Sequence, residues 1–253
     1  MIFYFLYLLS LVFEKTGFDK NKIPVLLYHS IDESGNPYSV SLKDFKKQIA
    51  LLYKKGYGTI NLSELKSYLK NKKFPKKKIL ITFDDGYKNN LELAKPVLDK
   101  YGFSGVIFIA TSLMGGEIQK NDKSYKMLSK EDLIRLEKSS WDIANHFHSH
   151  KILTDLSEQE IVQEIKESKK ILKDLLNKKE NLLSFVCPKD KINRNIVSIL
   201  IKKGANMIFT GEGLISKKTD YYNIPRVEVF NNTDKYKFLL RLSWFYHKLK
   251  KNI

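Results

Sequence analysis

Seven short apolar runs, separated by longer amphipathic stretches, dictate what this chain can fold into. They are Val25–Tyr28, Ile79–Phe83, Gly105–Ala110, Trp141–Ala144, Leu183–Cys187, Met207–Phe209 and Ile224–Val229, rich in Ile, Val, Leu and Phe and of strand length. Between them, Leu42–Lys55, Asn89–Tyr101, Glu131–Lys138, Ser157–Leu176 and Arg194–Lys203 repeat apolar residues every three or four positions. That spacing predicts helices, and Ser157 with Glu160 has the form of a capping box. Strands alternating with helices imply parallel pairing through right-handed crossovers, hence an α/β fold. Seven units in a chain of 253 residues fit a closed or nearly closed barrel, a distorted (β/α)7 type, better than an open sheet.

With 43% apolar residues the chain can bury one full core. Pro, Gly and Ser are dispersed, no repeat of fixed period is present, and a single domain is expected. The one cysteine, Cys187, rules out an intrachain disulfide.

Parallel barrels carry their chemistry just past the carboxyl ends of the strands. At those places lie His29 after Tyr28, the adjacent Asp84 and Asp85 after Phe83, Asn145 and His146 after Ala144, and Pro188 after Cys187. One carboxylate and two histidines can hold a divalent ion with coordination positions left open, while a neighbouring carboxylate stays free to take a proton. His146 and His150, four apart, would share one side of a helical turn, with Asp85 as the oxygen ligand and His148 facing away. An extended segment would pair His146 with His148 instead. The combination predicts metal-assisted hydrolysis.

These residues carry a family resemblance. Thr82-Phe-Asp-Asp-Gly86 and His146-x-x-x-His150 resemble the first two motifs of the polysaccharide deacetylases, the NodB-homology fold of carbohydrate esterase family 4. Pro24-Val-Leu-Leu-Tyr-His-Ser30, Tyr38-Ser-Val-Ser-Leu42 with Phe45, Gly56-Tyr57 and Ile224-Pro-Arg-Val227 are similar to the branch that deacetylates poly-N-acetylglucosamine of biofilm matrices, in which the motif order is permuted. The resemblance runs from about Pro24 to Val229 and places a catalytic domain over residues 24–230. It implies that Asp85, His146 and His150 bind the metal, that Asp84 is the general base and that His29 is the general acid. An oxyanion-stabilising N–H is implied near Pro188–Lys189. Arg226 could orient Asp84 or pair with a surface carboxylate. Zinc is the expected ion, and cobalt, nickel or iron share the ligand set.

The chain departs from the branch at Cys187-Pro-Lys-Asp190, where Pro-Tyr-Gly or Pro-Phe-Gly is usual. Charge then stands where an aromatic ring and a glycine would flank the oxyanion position. Two alternatives to the N-deacetylase follow: another amidase or O-acetyl esterase on the same fold, or a catalytically silent glycan-binding module.

Residues 1–13 carry no charged side chain and suit the apolar part of an export signal or a short anchor, without its usual basic leader and cleavage site. A helix folded onto the core is the other reading of residues 1–15. The net charge of +17 is mostly lysine scattered along the chain. It fits solvated faces, and nucleic acid is not expected as a partner; an anionic membrane surface is a possible one. Residues 234–253, basic and aromatic, suit an amphipathic helix that packs on the barrel or lies in a membrane interface. An N-acetylated polysaccharide outside the cytoplasm, met by a secreted or membrane-attached enzyme, is the expected setting.

Overall fold

The computed structural model of the protein describes residues 2–15, 22–120, 122–177, 184–186, 192–231 and 233–251. Seven strands close into a parallel barrel: β1 (Val25–Tyr28), β3 (Lys78–Phe83), β4 (Val106–Ile109), β7 (Asp142–Asn145), β8 (Ser184–Val186), β9 (Met207–Glu212) and β10 (Ile224–Glu228). The circuit runs β1-β10-β9-β8-β7-β4-β3, and pairing of β1 with β3, Leu26 opposite Ile81, closes it. A two-residue strand β2 (Gly58–Thr59) pairs with β3 outside the circuit. All seven apolar runs of the sequence therefore become barrel strands.

The two-residue period of each strand sorts its side chains into two layers. On β3, Ile79, Ile81 and Phe83 face outward into a buried layer shared with Phe45, Leu98 and Trp141, where Phe83 and Trp141 stack at 5.1 Å. Leu80 faces inward with Val25, Val106, Phe108, Ala144, Val186, Phe209 and Ile224. Phe108 and Phe209 meet across the barrel at 5.2 Å, so its interior is packed side chain rather than pore.

Helices α2 (Leu42–Lys54), α4 (Lys95–Asp99), α5 (Lys130–Glu137), α6 (Glu158–Leu175) and α7 (Arg194–Lys202) wrap the barrel. Ser157 and Glu160 form the capping box that opens α6. The helix expected over Asn89–Tyr101 begins instead as a wide turn, Asn90–Ala94, in which Lys95 N–H reaches the Asn90 carbonyl. Pro96, in the first turn of α4, has no N–H with which to continue an ordinary ladder. Helix α3 (Leu62–Asn71) was not expected. Its Leu62, Leu65 and Leu69 join the interior layer, and the Asp142 carboxylate accepts the Leu62 N–H at 2.7 Å. Because Asp142 begins β7, α3 closes the amino end of the barrel. A hairpin of β5 (Glu117–Lys120) and β6 (Lys123–Lys126) rises at the opposite end.

The basic carboxy-terminal segment forms two helices, α8 (Lys235–Arg241) and α9 (Trp244–Lys251), rather than one. Ser243 breaks the run, its N–H and hydroxyl both donating to the Leu240 carbonyl. The first residues form α1 (Ile2–Lys15), which packs on α8 and α9.

Candidate active site

The inward period of the strands explains which side chains reach the carboxyl-end mouth. Continuing Leu80 and Thr82 by two brings Asp84 inward; continuing Val25 and Leu27 brings His29, and continuing Ala144 brings His146. On β10, Ile224, Arg226 and Glu228 share the inner face. His29, Asp84, His146, Arg226 and Glu228 line one open cleft of about 1260 Å³.

Asp85 needs a second device, since the next residue of a strand would point out of the barrel. Its φ is 72° and that of Gly86 is 91°, two successive left-handed residues that swing the chain off β3. The positive φ of Gly86 favours glycine, and a Cβ there would also crowd Ile109 Cδ1 at 3.0 Å. The turn leaves both carboxylates buried yet aimed at different partners.

Asp85 Oδ1 lies 2.9 Å from His150 Nε2 and 3.4 Å from His146 Nε2, and the two imidazoles are nearly perpendicular with centroids 4.7 Å apart. One ligand atom from each residue falls within 4.8 Å of the others. Burial pushes the Asp85 carboxyl up, but hydrogen bonds from His146 and His150 outweigh it and hold the group well below the usual carboxylate range. The His150 imidazole is raised, chiefly by its hydrogen bond to Asp85. Two imidazoles and one ionised oxygen, converging within coordination reach, fit a divalent ion, and these three residues would hold it.

Residues 146–150 form no helical turn. They follow β7 as a loop in which Phe147 (φ 63°) and His150 (φ 59°) are left-handed. This doubled reversal, not helical periodicity, puts His146 and His150 together. His148 points elsewhere, its Nδ1 2.9 Å from Thr111 Oγ1 and its Nε2 3.4 Å from Glu167. The buried Glu164 of α6 holds the loop: it accepts the N–H groups of His148 and Ser149, each at 2.8 Å, and the Ser149 hydroxyl at 2.5 Å. Asn145 accepts the Phe147 N–H at 2.7 Å. Glu164→Ala is therefore expected to weaken divalent-ion binding about 10- to 100-fold, while Glu164→Gln, which can keep the two backbone bonds, costs far less. Isothermal titration of the metal-free variants with zinc measures the difference, and equal affinity in all three proteins would contradict it.

Asp84 faces Arg226. The guanidinium donates to both carboxylate oxygens, Nη1 to Oδ1 at 2.8 Å and Nη2 to Oδ2 at 2.9 Å, and both residues are 3% exposed. Arg226 thus orients Asp84, and among the described residues it pairs with no surface carboxylate. The fork occupies one lone pair on each oxygen and leaves the other toward the cleft.

His29 stands at the rim with its ring 5.5 Å from that of Tyr38. Its buried Nδ1 has no hydrogen-bond partner among the described residues. The half-buried Glu228 carboxyl, raised by desolvation, is close enough to His29 for their charges to interact. Pro188 and Lys189, and with them Asp190, lie outside the described residues.

Sequence reasoning passed over Glu228, Tyr87 and Lys120. Glu228 follows Arg226 by two on a strand and was open to the same counting. Lys120 was not: it arrives on the β5–β6 hairpin, whose polar residues carry no core-facing period. Its ammonium lies 3.3 Å from Asp85 Oδ2 and 2.7 Å from the Tyr87 hydroxyl. Burial, then the Asp85 charge, pushes that phenol above its ordinary range.

A seven-stranded parallel barrel with an Asp-His-His cluster and an arginine-clamped acid at its carboxyl mouth defines a class of hydrolytic domain. Residues 71–208 match the family model of polysaccharide deacetylase, and the chain belongs to that family. It is similar to the poly-beta-1,6-N-acetyl-D-glucosamine N-deacetylase of Staphylococcus epidermidis, 29% identical over 244 residues that cover 87% of this chain and 83% of the relative. Two solved structures share the fold. The Streptococcus pyogenes deacetylase PplD, solved with acetate, superposes with a TM-score of 0.77 at 23% identity, covering 88% of this chain and 98% of its own. IcaB from Ammonifex degensii superposes at 0.75 and 22% identity, covering 89% and 97%.

Proposed function

We propose that the protein removes acetyl groups hydrolytically from N-acetylglucosamine units of a surface or biofilm polysaccharide, outside the cytoplasm, with a divalent ion at Asp85, His146 and His150. Zinc is the first choice, ahead of cobalt, nickel and iron. The observation that carries this reading is the separation of duties between adjacent carboxylates, Asp85 turned to two imidazoles and Asp84 turned to Arg226 and the cleft. The name of the Staphylococcus epidermidis relative supports the substrate, and an open cleft suits a polymer better than a small molecule.

An ion bound by the three ligands supplies Lewis-acid polarisation of the acetamide carbonyl and a lowered pKa for water. Asp84 takes a proton from the attacking water through the lone pairs that Arg226 leaves free, and Arg226 fixes the direction of that transfer. His29 delivers a proton to the sugar nitrogen as the C–N bond breaks. Water and amide thereby become acetate and a free amine. The silent-module alternative rests on Lys189 and Asp190, which lie outside the described residues.

Acetate release from N-acetylglucosamine oligomers, measured on purified protein, tests the reading. Release is expected to stop when a chelator strips the protein and to return with added zinc. Release from O-acetylated but not N-acetylated oligomers would select the esterase instead. Glycan binding with no release from either would select the silent module.

A further inference from the structure

Helix α1 is built inside out for a helix lying on a protein surface. Of the ten large apolar or aromatic side chains that stand exposed among the described residues, five are on it: Ile2, Tyr4, Phe5, Leu8 and Val12. Four of them, at positions 2, 5, 8 and 12, recur at three- and four-residue spacing and so form one outward stripe. The single serine of the helix does not relieve this face, since Ser10 is turned inward and its hydroxyl donates to the Tyr7 carbonyl at 2.7 Å.

The inner face is held to the protein. The rings of Tyr4 and Tyr7 lie 4.8 Å and 5.8 Å from that of Tyr236 on α8, and Lys55 Nζ donates to the Tyr7 hydroxyl at 2.9 Å. Lysines of α8 and α9 stand over aromatic rings of α1 and its neighbours. Lys237 sits over the Phe3 ring and Lys235 over Tyr236, while on α9 Lys248 lies 4.9 Å from the centre of the Trp244 ring. From Lys235 to Lys251 no acidic residue occurs.

We infer that α1, α8 and α9 form a docking platform for a bilayer surface containing anionic lipid. The stripe of α1 inserts among the acyl chains, and the lysines of α8 and α9 rest on the headgroups. An exposed apolar stripe on one helix beside helices whose lysines stand over aromatic rings matches the layered chemistry of such an interface. The helix lies in the plane rather than across it. Its 14 residues span about 21 Å, short of the roughly 30 Å hydrocarbon core, and among the described residues no helix is long and apolar enough to cross a membrane. The platform also reaches the cleft: Glu212, on the cleft wall, pairs with Lys250 of α9 and, at 3.5 Å, with Arg241 of α8. Docking would therefore fix how the cleft faces the bilayer. This inference stands on α1 and its neighbours and does not depend on the reaction proposed above.

Sedimentation of the full chain with vesicles tests it. Binding to phosphatidylcholine vesicles with roughly a third phosphatidylglycerol is expected to exceed binding to phosphatidylcholine alone by at least about tenfold, and to weaken with added salt. Phe5→Glu with Val12→Glu should reduce it about 100-fold, with an unchanged melting temperature because both side chains are exposed. Lys235→Gln and Lys248→Gln should each cost about fivefold, on the anionic vesicles only. Absence of binding by the wild type, or equal binding by the double glutamate variant, overturns the inference. So does a dimer in vesicle-free ultracentrifugation that the same double variant dissolves, because the stripe would then seat a second copy of the chain.

Discussion

Asp84→Asn is expected to slow acetate release from N-acetylglucosamine oligomers by about 10²- to 10⁴-fold while one divalent ion still binds per chain. The range is what loss of a positioned general base costs. The substitution keeps the shape of the side chain and one acceptor for the Arg226 fork, and the ion's three ligands are untouched. The paired measurements discriminate among causes: loss of turnover with ion binding intact assigns Asp84 to proton transfer, loss of both would make it a structural support of the ion site, and full turnover would remove it from the mechanism.

Arg226→Gln should be the most destabilising of these changes, by about 3–5 kcal/mol, because it strands the Asp84 carboxylate without its counter-ion in a site where both groups are 3% exposed. For a domain of this size the loss corresponds to a fall of roughly 10 °C in melting temperature. The double variant Asp84→Asn/Arg226→Gln removes both charges and should recover a substantial part of that stability, yet none of the activity. Thermal denaturation of the two single variants and the double closes the cycle. Strictly additive losses would mean that the fork at 2.8 Å and 2.9 Å contributes nothing as a pair.

The barrel was legible because its strands are apolar on both faces and short, and helices with three- and four-residue periods separate them. The same regularity delivered His29, Asp84 and His146, each one step past a strand end. Features without a period escaped. Helix α3 is marked mainly by its capping box at Asn61 and Glu64, and its role in closing the barrel's amino end depends on a contact to Asp142, eighty residues away. The β5–β6 hairpin is polar throughout most of its length. The histidine pair was found on a helical argument, whereas the backbone reaches the pairing through two left-handed residues, which His and Phe do not advertise. Arg226 was left between two partners because a sequence shows the strand it stands on, not the acid across the barrel.

The inward and outward alternation along the barrel strands makes the site sensitive to insertions and deletions. Deleting or adding one residue within β3 would exchange Asp84 for a neighbour and send its carboxylate into the hydrophobic layer beneath the helices. The length of β3 therefore decides which side chain meets Arg226 at the mouth. The β5–β6 hairpin, which brings Lys120 to within 3.3 Å of Asp85 from outside the barrel, is bound by no such alternation, and its length can vary without turning any strand residue over.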